Sequence, residues 1–184
     1  MSASDEISVH EYWMQKALQQ ARMAEHLGEV PIGAVVVFDG KLIGAGYNRR
    51  EIDQNPLGHA ELAAIRQASQ YLGGWRLAGC ALYVTLEPCP MCAGAIVQAR
   101  IGRVCFGAFD PKSGYAGSLH NTLRDQRLNH QVEITSGVCQ AECSRLLQSF
   151  FRRLRSKGSS TTSEQSYGLT ASSKNAISQY NYNF

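Results

Sequence analysis

Two short clusters of residues in this chain have the types and spacing of metal ligands. His59 and Glu61 form an H-x-E pattern, and the later stretch Pro88-Cys89-Pro90-Met91-Cys92 forms P-C-x-x-C. Zinc binds imidazole nitrogen and thiolate sulfur readily, and three protein ligands leave its fourth coordination position open, as catalytic zinc sites require. The two clusters therefore predict a catalytic zinc site with His59, Cys89 and Cys92 as ligands.

Glu61 is the residue that we expect to move protons at this site. It follows His59 by two positions, so its side chain points away from the ligand direction while staying in the same helical turn. Zinc lowers the pKa of a bound water, and a carboxylate beside the open position can take a proton from that water and pass it to a substrate. Glu61 is therefore predicted to be a proton shuttle and not a ligand.

Other interpretations of the Cys89–Cys92 pair explain less of the sequence. The first residues show no secretory signal and no segment has the apolar length of a membrane helix, which predicts a cytoplasmic protein without structural disulfides. A thioredoxin-like redox pair would leave the H-x-E pattern unexplained. A closed structural zinc site would need a fourth ligand, and none of the other candidates has the paired spacing typical of such sites. These candidates are Cys80, Cys105, Cys139, Cys143, His10, His26, His120 and His130.

The length and composition of the chain fit one ordinary domain with a tail. The chain has 184 residues and a formal net charge of +3, which is too modest to indicate a nucleic-acid partner by itself. We expect one zinc-binding domain over 1–157. The composition then changes to Ser, Thr, Asn and Gln, so a disordered tail is predicted over 158–184.

Strand-like and helix-like segments alternate along the folded part. Asp39-Gly40 is a favoured two-residue hairpin turn between two apolar runs, and Ser8 with Glu11 matches a capping box at the start of a first helix. The pattern predicts an α/β layered domain with a mixed sheet. The predicted segments are helices at about 9–27, 59–72, 90–100 and 140–157, a hairpin within 31–48, strands at 80–86, 103–109 and 131–135, and a long functional loop at 110–129.

The motifs resemble a known superfamily. "HAEL" together with "TLEPCPMCAGAI" is similar to the signature of the cytidine-deaminase-like zinc deaminases. Longer stretches, among them "EVPIGAVVV", "YNR", "GAFDPKSGYAGSL" and "ECSRLLQSFFRRLR", resemble the bacterial tRNA-specific adenosine deaminases over about 8–155. The resemblance implies a three-layer α/β/α fold with a central mixed five-stranded sheet. It also implies a homodimer, with one Zn2+ per subunit, that hydrolyses the wobble adenosine of an arginine tRNA anticodon to inosine and releases ammonia.

The resemblance also implies how the target base is held. Asn48 would hydrogen-bond the base, Val30 would pack against it, and the backbone around Ala60 and Pro88 would help to orient it. Asn48 has a simpler interpretation as well, because asparagine is common at hairpin ends for backbone reasons.

Further residues would contact the tRNA anticodon arm if the resemblance holds. Asp110 would contact the backbone of a neighbouring nucleotide, and Phe150, Phe151 and Arg153 of the last helix would grip the anticodon loop. Each has a simpler interpretation: Asp110 before proline can begin a turn, and the last helix can bury its phenylalanines and leave its arginines solvated.

The base itself is not specified by the zinc motif. A free nucleobase or nucleoside deaminase of the guanine or cytosine type would share the same ligands, and it stays the alternative function. A non-enzymatic zinc-binding RNA scaffold is disfavoured because such a protein has no need for Glu61. Arg50 stands where proline is expected in close relatives, and it is a candidate for altered RNA contacts.

Overall fold

The computed structural model of the chain describes residues 3–159, with side chains described for 7–156. Its elements in chain order are α1 (Ala3–His26), β1 (Gly33–Phe38), β2 (Lys41–Tyr47), α2 (Ala60–Leu72), β3 (Ala81–Leu86), α3 (Pro90–Gln98), β4 (Arg103–Ala108), a short 3-10 helix (Thr122–Arg124), β5 (Glu133–Ser136) and α4 (Gln140–Ser159). No helix in this part of the chain is long and apolar enough to cross a bilayer.

The five strands form one mixed sheet in the order β2-β1-β3-β4-β5. Strand β1 pairs antiparallel with both β2 and β3, whereas β3, β4 and β5 pair in parallel. The parallel pair β3–β4 needs a crossover, which α3 supplies. The predicted mixed five-stranded sheet is confirmed.

The hairpin between β1 and β2 turns at Asp39-Gly40, as the sequence predicts. Both residues have positive φ angles, 49° and 67°, which is the conformation of a type I′ turn. The right-handed twist of this turn matches that of the strands, so the apolar run of β1 folds directly back onto β2.

Helices cover both faces of the sheet. Helices α2 and α3 pack on one face around Val36, Val84 and Phe106, and α1 and α4 pack on the other around Val35 and Tyr83. Each face therefore has its own apolar core, and the predicted three-layer α/β/α arrangement is confirmed.

Helix α2 lies close against β2 because β2 carries glycine where the two elements meet. A Cβ atom added to Gly46 would collide with the carbonyl oxygen of Ala60, and one added to Gly44 would collide with that of Ala64. The absence of side chains at Gly44 and Gly46 thus fixes the depth at which the first turn of α2 sits on the sheet.

The predicted start of the first helix is wrong. Helix α1 begins at Ala3, so Ser8 and Glu11 lie inside it and do not cap its N-terminus. The residues before Ser8 include neither glycine nor proline, so nothing in the sequence stops the helix there. Helix α4 ends at Ser159, beyond the predicted 157. Most of the predicted tail, 160–184, lies outside the described residues, and its disorder stays a prediction.

Candidate active site

The three predicted zinc ligands lie together at the N-termini of two helices. His59 is the N-cap residue of α2, Cys89 is the N-cap residue of α3, and Cys92 lies in the first turn of α3. Neither His59 nor Cys89 uses its side chain to cap its helix, and Pro90 takes a first-turn position that needs no N–H donor. All three side chains are therefore directed by helix starts toward one point.

The distances within this cluster fit a tetrahedral zinc ion. The Nδ1 atom of His59 is 3.7 Å from Sγ of Cys89 and 3.5 Å from Sγ of Cys92. All three ligand atoms lie within 4.8 Å of one another. Zinc bonds of about 2.3 Å to sulfur and about 2.0 Å to nitrogen, at tetrahedral angles, would separate nitrogen and sulfur by about 3.6 Å. The two distances from His59 are therefore those expected for ligands of one Zn2+ ion.

The pKa values of the two cysteines are shifted in opposite directions. The hydrogen bond from Cys92 lowers the pKa of Cys89 to about 4, and the same bond, together with burial, raises the pKa of Cys92. These shifts describe the pair rather than either thiol alone. The hydrogen bond with Cys89 also raises the pKa of His59. A bound divalent cation would favour thiolate on both sulfurs and a neutral imidazole, the forms in which these residues bind metals.

Glu61 lies beside the cluster but outside its ligand set. Its side chain is buried, with 4% of its surface exposed, and it belongs to the first turn of α2. Burial raises its pKa, and the positive charge of His59 opposes that shift. A carboxylate with a raised pKa accepts a proton more readily than an exposed glutamate, which suits the predicted shuttle.

A cavity of about 220 Å³ opens above the cluster. Five of the residues that the sequence and the resemblance indicated for substrate binding line this cavity together with His59, Glu61 and Cys89. They are Val30, Asn48, Ala60, Asp110 and Phe151. Arg50 also lines it, whereas Pro88, Phe150 and Arg153 are not among the lining residues.

Sequence reasoning missed Glu29, a buried acid that contacts Asn48. One carboxylate oxygen of Glu29 accepts a hydrogen bond from Nδ2 of Asn48 at 2.9 Å, and the other accepts one from the backbone N–H of Ile52 at 2.7 Å. Only 1% of Glu29 is exposed. The sequence feature that could have indicated Glu29 is its position as a single acidic residue at the start of the apolar stretch "EVPIGAVVV".

Glu87 is a second buried acid that sequence reasoning missed. Its carboxylate accepts backbone hydrogen bonds from Asp110, Ala116 and Ser118, each at 3.0 Å. A Cβ atom added to Gly114 would collide with this carboxylate. Glu87 thereby folds the start of the predicted 110–129 loop against the cavity, and its place inside "TLEPCPMC" was the signal.

Asp110 and Pro88 lie where this loop meets the cavity. Oδ1 of Asp110 accepts hydrogen bonds from the backbone of Lys112 and Ser113, both at 3.0 Å, so the turn-forming interpretation of Asp110 is confirmed. Burial raises the pKa of Asp110. Pro88 is buried, and its carbonyl accepts the N–H of Tyr115 at 2.8 Å. The roles of Asp110 and Pro88 in RNA binding stay predictions.

The phenylalanines of α4 are core residues. Phe150 and Phe151 are 8% and 5% exposed and meet edge to face, with ring centroids 5.4 Å apart. Arg153 is half-exposed and forms an ion pair with Glu25 of α1. This arrangement agrees with the simpler interpretation of the helix. An RNA contact through Arg153 stays a prediction and requires the ion pair with Glu25 to open.

Fold and site together define a deaminase of the cytidine-deaminase-like superfamily. A family model described as MafB19-like deaminase matches residues 8–155. The tRNA-specific adenosine deaminase of Bacillus subtilis (strain 168) is 53% identical over 147 residues, which are 80% of this chain and 91% of that protein. The chain therefore belongs to the family of tRNA-specific adenosine deaminases, which are hydrolytic enzymes.

Solved structures agree with this assignment. A structure from a study of A-to-I editing by tRNA:A34 deaminases at the wobble position of transfer RNA matches with a TM-score of 0.71 and 44% identity, covering 74% of this chain and 99% of that one. A guanine deaminase from Nitrosomonas europaea matches with a TM-score of 0.66 over 76% of this chain and 83% of that one. Its 24% identity indicates a shared fold only.

Proposed function

We propose that this protein converts the wobble adenosine of an arginine tRNA anticodon to inosine by zinc-assisted hydrolysis. The observation that carries the proposal is the placement of His59, Cys89 and Cys92 at zinc-binding distances, with Glu61 buried beside them at one cavity. The similarity to tRNA-specific adenosine deaminases supports adenosine in tRNA as the substrate. The choice of an arginine tRNA rests on the sequence resemblance.

In this proposal His59, Cys89 and Cys92 hold one Zn2+ per subunit. When bound, the ion would supply Lewis acidity that activates water for attack on C6 of the adenine ring. Their donor set of one imidazole and two thiolates leaves room for such a water, because no fourth protein ligand lies within the same group among the described residues.

Glu61 moves the protons of the reaction. It takes a proton from the attacking water and gives it to N1 of the ring as the bond between oxygen and C6 forms. It then transfers the second water proton to the exocyclic nitrogen, so that the C6–N bond breaks and ammonia leaves. Burial supports this role because it raises the pKa of Glu61, which makes the carboxylate a better proton acceptor than an exposed glutamate.

The cavity would bind a single base that is no longer stacked on the neighbouring bases of the RNA. Its volume is about 220 Å³, and Asn48, Val30 and Ala60 in its wall would contact the base. Anticodon-loop nucleotides are unpaired, so turning one base outward costs less free energy than it would in a duplex. The enzyme is proposed to act in the cytoplasm as a homodimer, with the loop held by Asp110 and by α4.

A substrate comparison tests the proposal. The purified protein is incubated separately with an arginine-tRNA anticodon stem-loop, free guanine and cytidine, and the products are identified by mass spectrometry. Inosine at the wobble position of the stem-loop is expected, and a stem-loop with guanosine at that position is the matched control. Xanthine or uridine, with no inosine in the RNA, would instead support a free base or nucleoside deaminase.

A further inference from the structure

The side chain of Asn48 forms a hydrogen bond with the buried side chain of Glu29. Asn48 is 6% exposed and lies in the cavity wall, and its Nδ2 atom donates to Glu29 at 2.9 Å. The second carboxylate oxygen of Glu29 accepts the backbone N–H of Ile52 at 2.7 Å. One buried acid therefore joins a cavity residue to the loop that follows β2.

The chemistry of this contact determines how the Asn48 amide is oriented. Each carboxyl oxygen of Glu29 accepts a hydrogen bond here, whereas an amide has one accepting side and one donating side. Glu29 therefore pairs with the NH2 side of Asn48, and the Oδ1 atom lies on the side of the amide away from Glu29. Without such a partner, the two amide orientations would differ little in energy.

We propose that Glu29 is a positioning residue that fixes the amide of Asn48 in one orientation for its contact with the bound nucleotide. The inference rests on the proposed function, since it assigns Asn48 a contact with the base.

The substitution Glu29→Gln tests the inference with little change in shape. The introduced glutamine has only one accepting atom, so it can satisfy either Asn48 or the N–H of Ile52, but not both. When the glutamine oxygen accepts the N–H of Ile52, the glutamine NH2 group faces Asn48. This favours the amide orientation in which Oδ1 of Asn48 points toward that NH2 group. We expect kcat/KM to fall about 10- to 100-fold, the usual effect of losing a residue that orients a binding group.

A double-mutant cycle shows whether the fall in kcat/KM caused by Glu29→Gln depends on Asn48. Glu29→Gln is measured in the wild-type chain and in an Asn48→Ala background, on whichever of the three substrates the wild-type protein deaminates. We expect the Glu29→Gln effect to shrink to less than about 3-fold in the Asn48→Ala background, because the amide to be oriented is gone. An equal loss in both backgrounds would overturn the inference.

Two controls separate positioning from general damage. Glu142→Gln replaces another carboxylate that bridges two side-chain donors, Gln15 and Arg22, both at 2.7 Å and away from the cavity. It should leave kcat/KM within about 2-fold. Zinc content and melting temperature are measured for every variant. If Glu29→Gln does not fold, the cycle is run with Glu29→Asp, which keeps two accepting oxygens, and a loss independent of Asn48 again rejects the inference.

The same measurements distinguish this inference from the proposed function. If the wild-type protein produces no inosine in the stem-loop, the proposed substrate is wrong, and the cycle on guanine or cytidine still tests the coupling of Glu29 to Asn48. If inosine forms and the coupling is absent, only the inference fails.

Discussion

The Nδ1 atom of His59 lies 3.5 Å from Sγ of Cys92, although 33 positions separate the two residues. The contact arises because α2 and α3 begin at the same end of one face of the sheet, and each helix carries a ligand in or before its first turn. The candidate metal site is therefore formed by the starts of two helices that are distant in sequence.

Removing a sulfur ligand should remove the metal. Cys92 is fully buried and contributes one of three ligand atoms, so Cys92→Ala leaves only two ligands for zinc. We expect near-stoichiometric zinc in the wild-type protein and a small fraction of that in the variant, measured by elemental analysis. Cys80→Ala is the matched control, because Cys80 is also buried but lies outside the ligand group. Equal zinc in both variants would contradict the assignment.

Removing the acid beside the ligands should stop the reaction without removing zinc. Glu61→Gln keeps the size of the buried side chain but cannot carry a proton between water and the base. We expect kcat to fall about 10²- to 10⁴-fold with zinc content unchanged. Substantial remaining turnover would show that another group moves the protons, and Glu142→Gln again serves as the control.

A methyl group added at Gly46, between β2 and α2, should disturb the site although Gly46 is not one of its residues. Gly46→Ala places a methyl group against the carbonyl of Ala60, next to His59 and Glu61. We expect a loss of about 1–3 kcal/mol in the free energy of unfolding, from denaturant titration, and reduced zinc affinity. Gly74→Ala, where no atom lies within 4 Å of the added Cβ, should change stability by less than about 1 kcal/mol. Similar effects of both substitutions would argue against close α2 packing as the cause.

Arg153 should matter more for RNA than for stability. Its ion pair with Glu25 is half-exposed, so Arg153→Ala should change the free energy of unfolding by at most about 1 kcal/mol. If Arg153 contacts phosphate, the variant should bind the stem-loop more weakly and with a shallower dependence of affinity on salt concentration. Arg127→Ala, at a more exposed arginine paired with Asp125, is the control. An unchanged salt dependence in Arg153→Ala would limit Arg153 to its contact with Glu25.

The sequence predicted most of the elements and the candidate metal ligands because local signals are strong there. Asp39-Gly40 specifies a type I′ turn by its backbone preference, and Pro90 marks the start of α3 because proline fits a first helical turn. His59, Cys89 and Cys92 were recognisable because zinc accepts few residue types. The capping box at Ser8 failed because a local motif does not exclude a helix that starts earlier.

Only the tertiary structure shows which buried side chains hold the site residues and their loops in place. Glu29 and Glu87 act through backbone and amide hydrogen bonds to segments distant in sequence, and no local pattern shows which donors a buried carboxylate will meet. The burial of Phe150 depends on how α4 packs on the sheet. Sequence thus determines which groups are available for chemistry, whereas packing of the three layers decides how each group is oriented and held, because those contacts join residues that only the complete fold brings together.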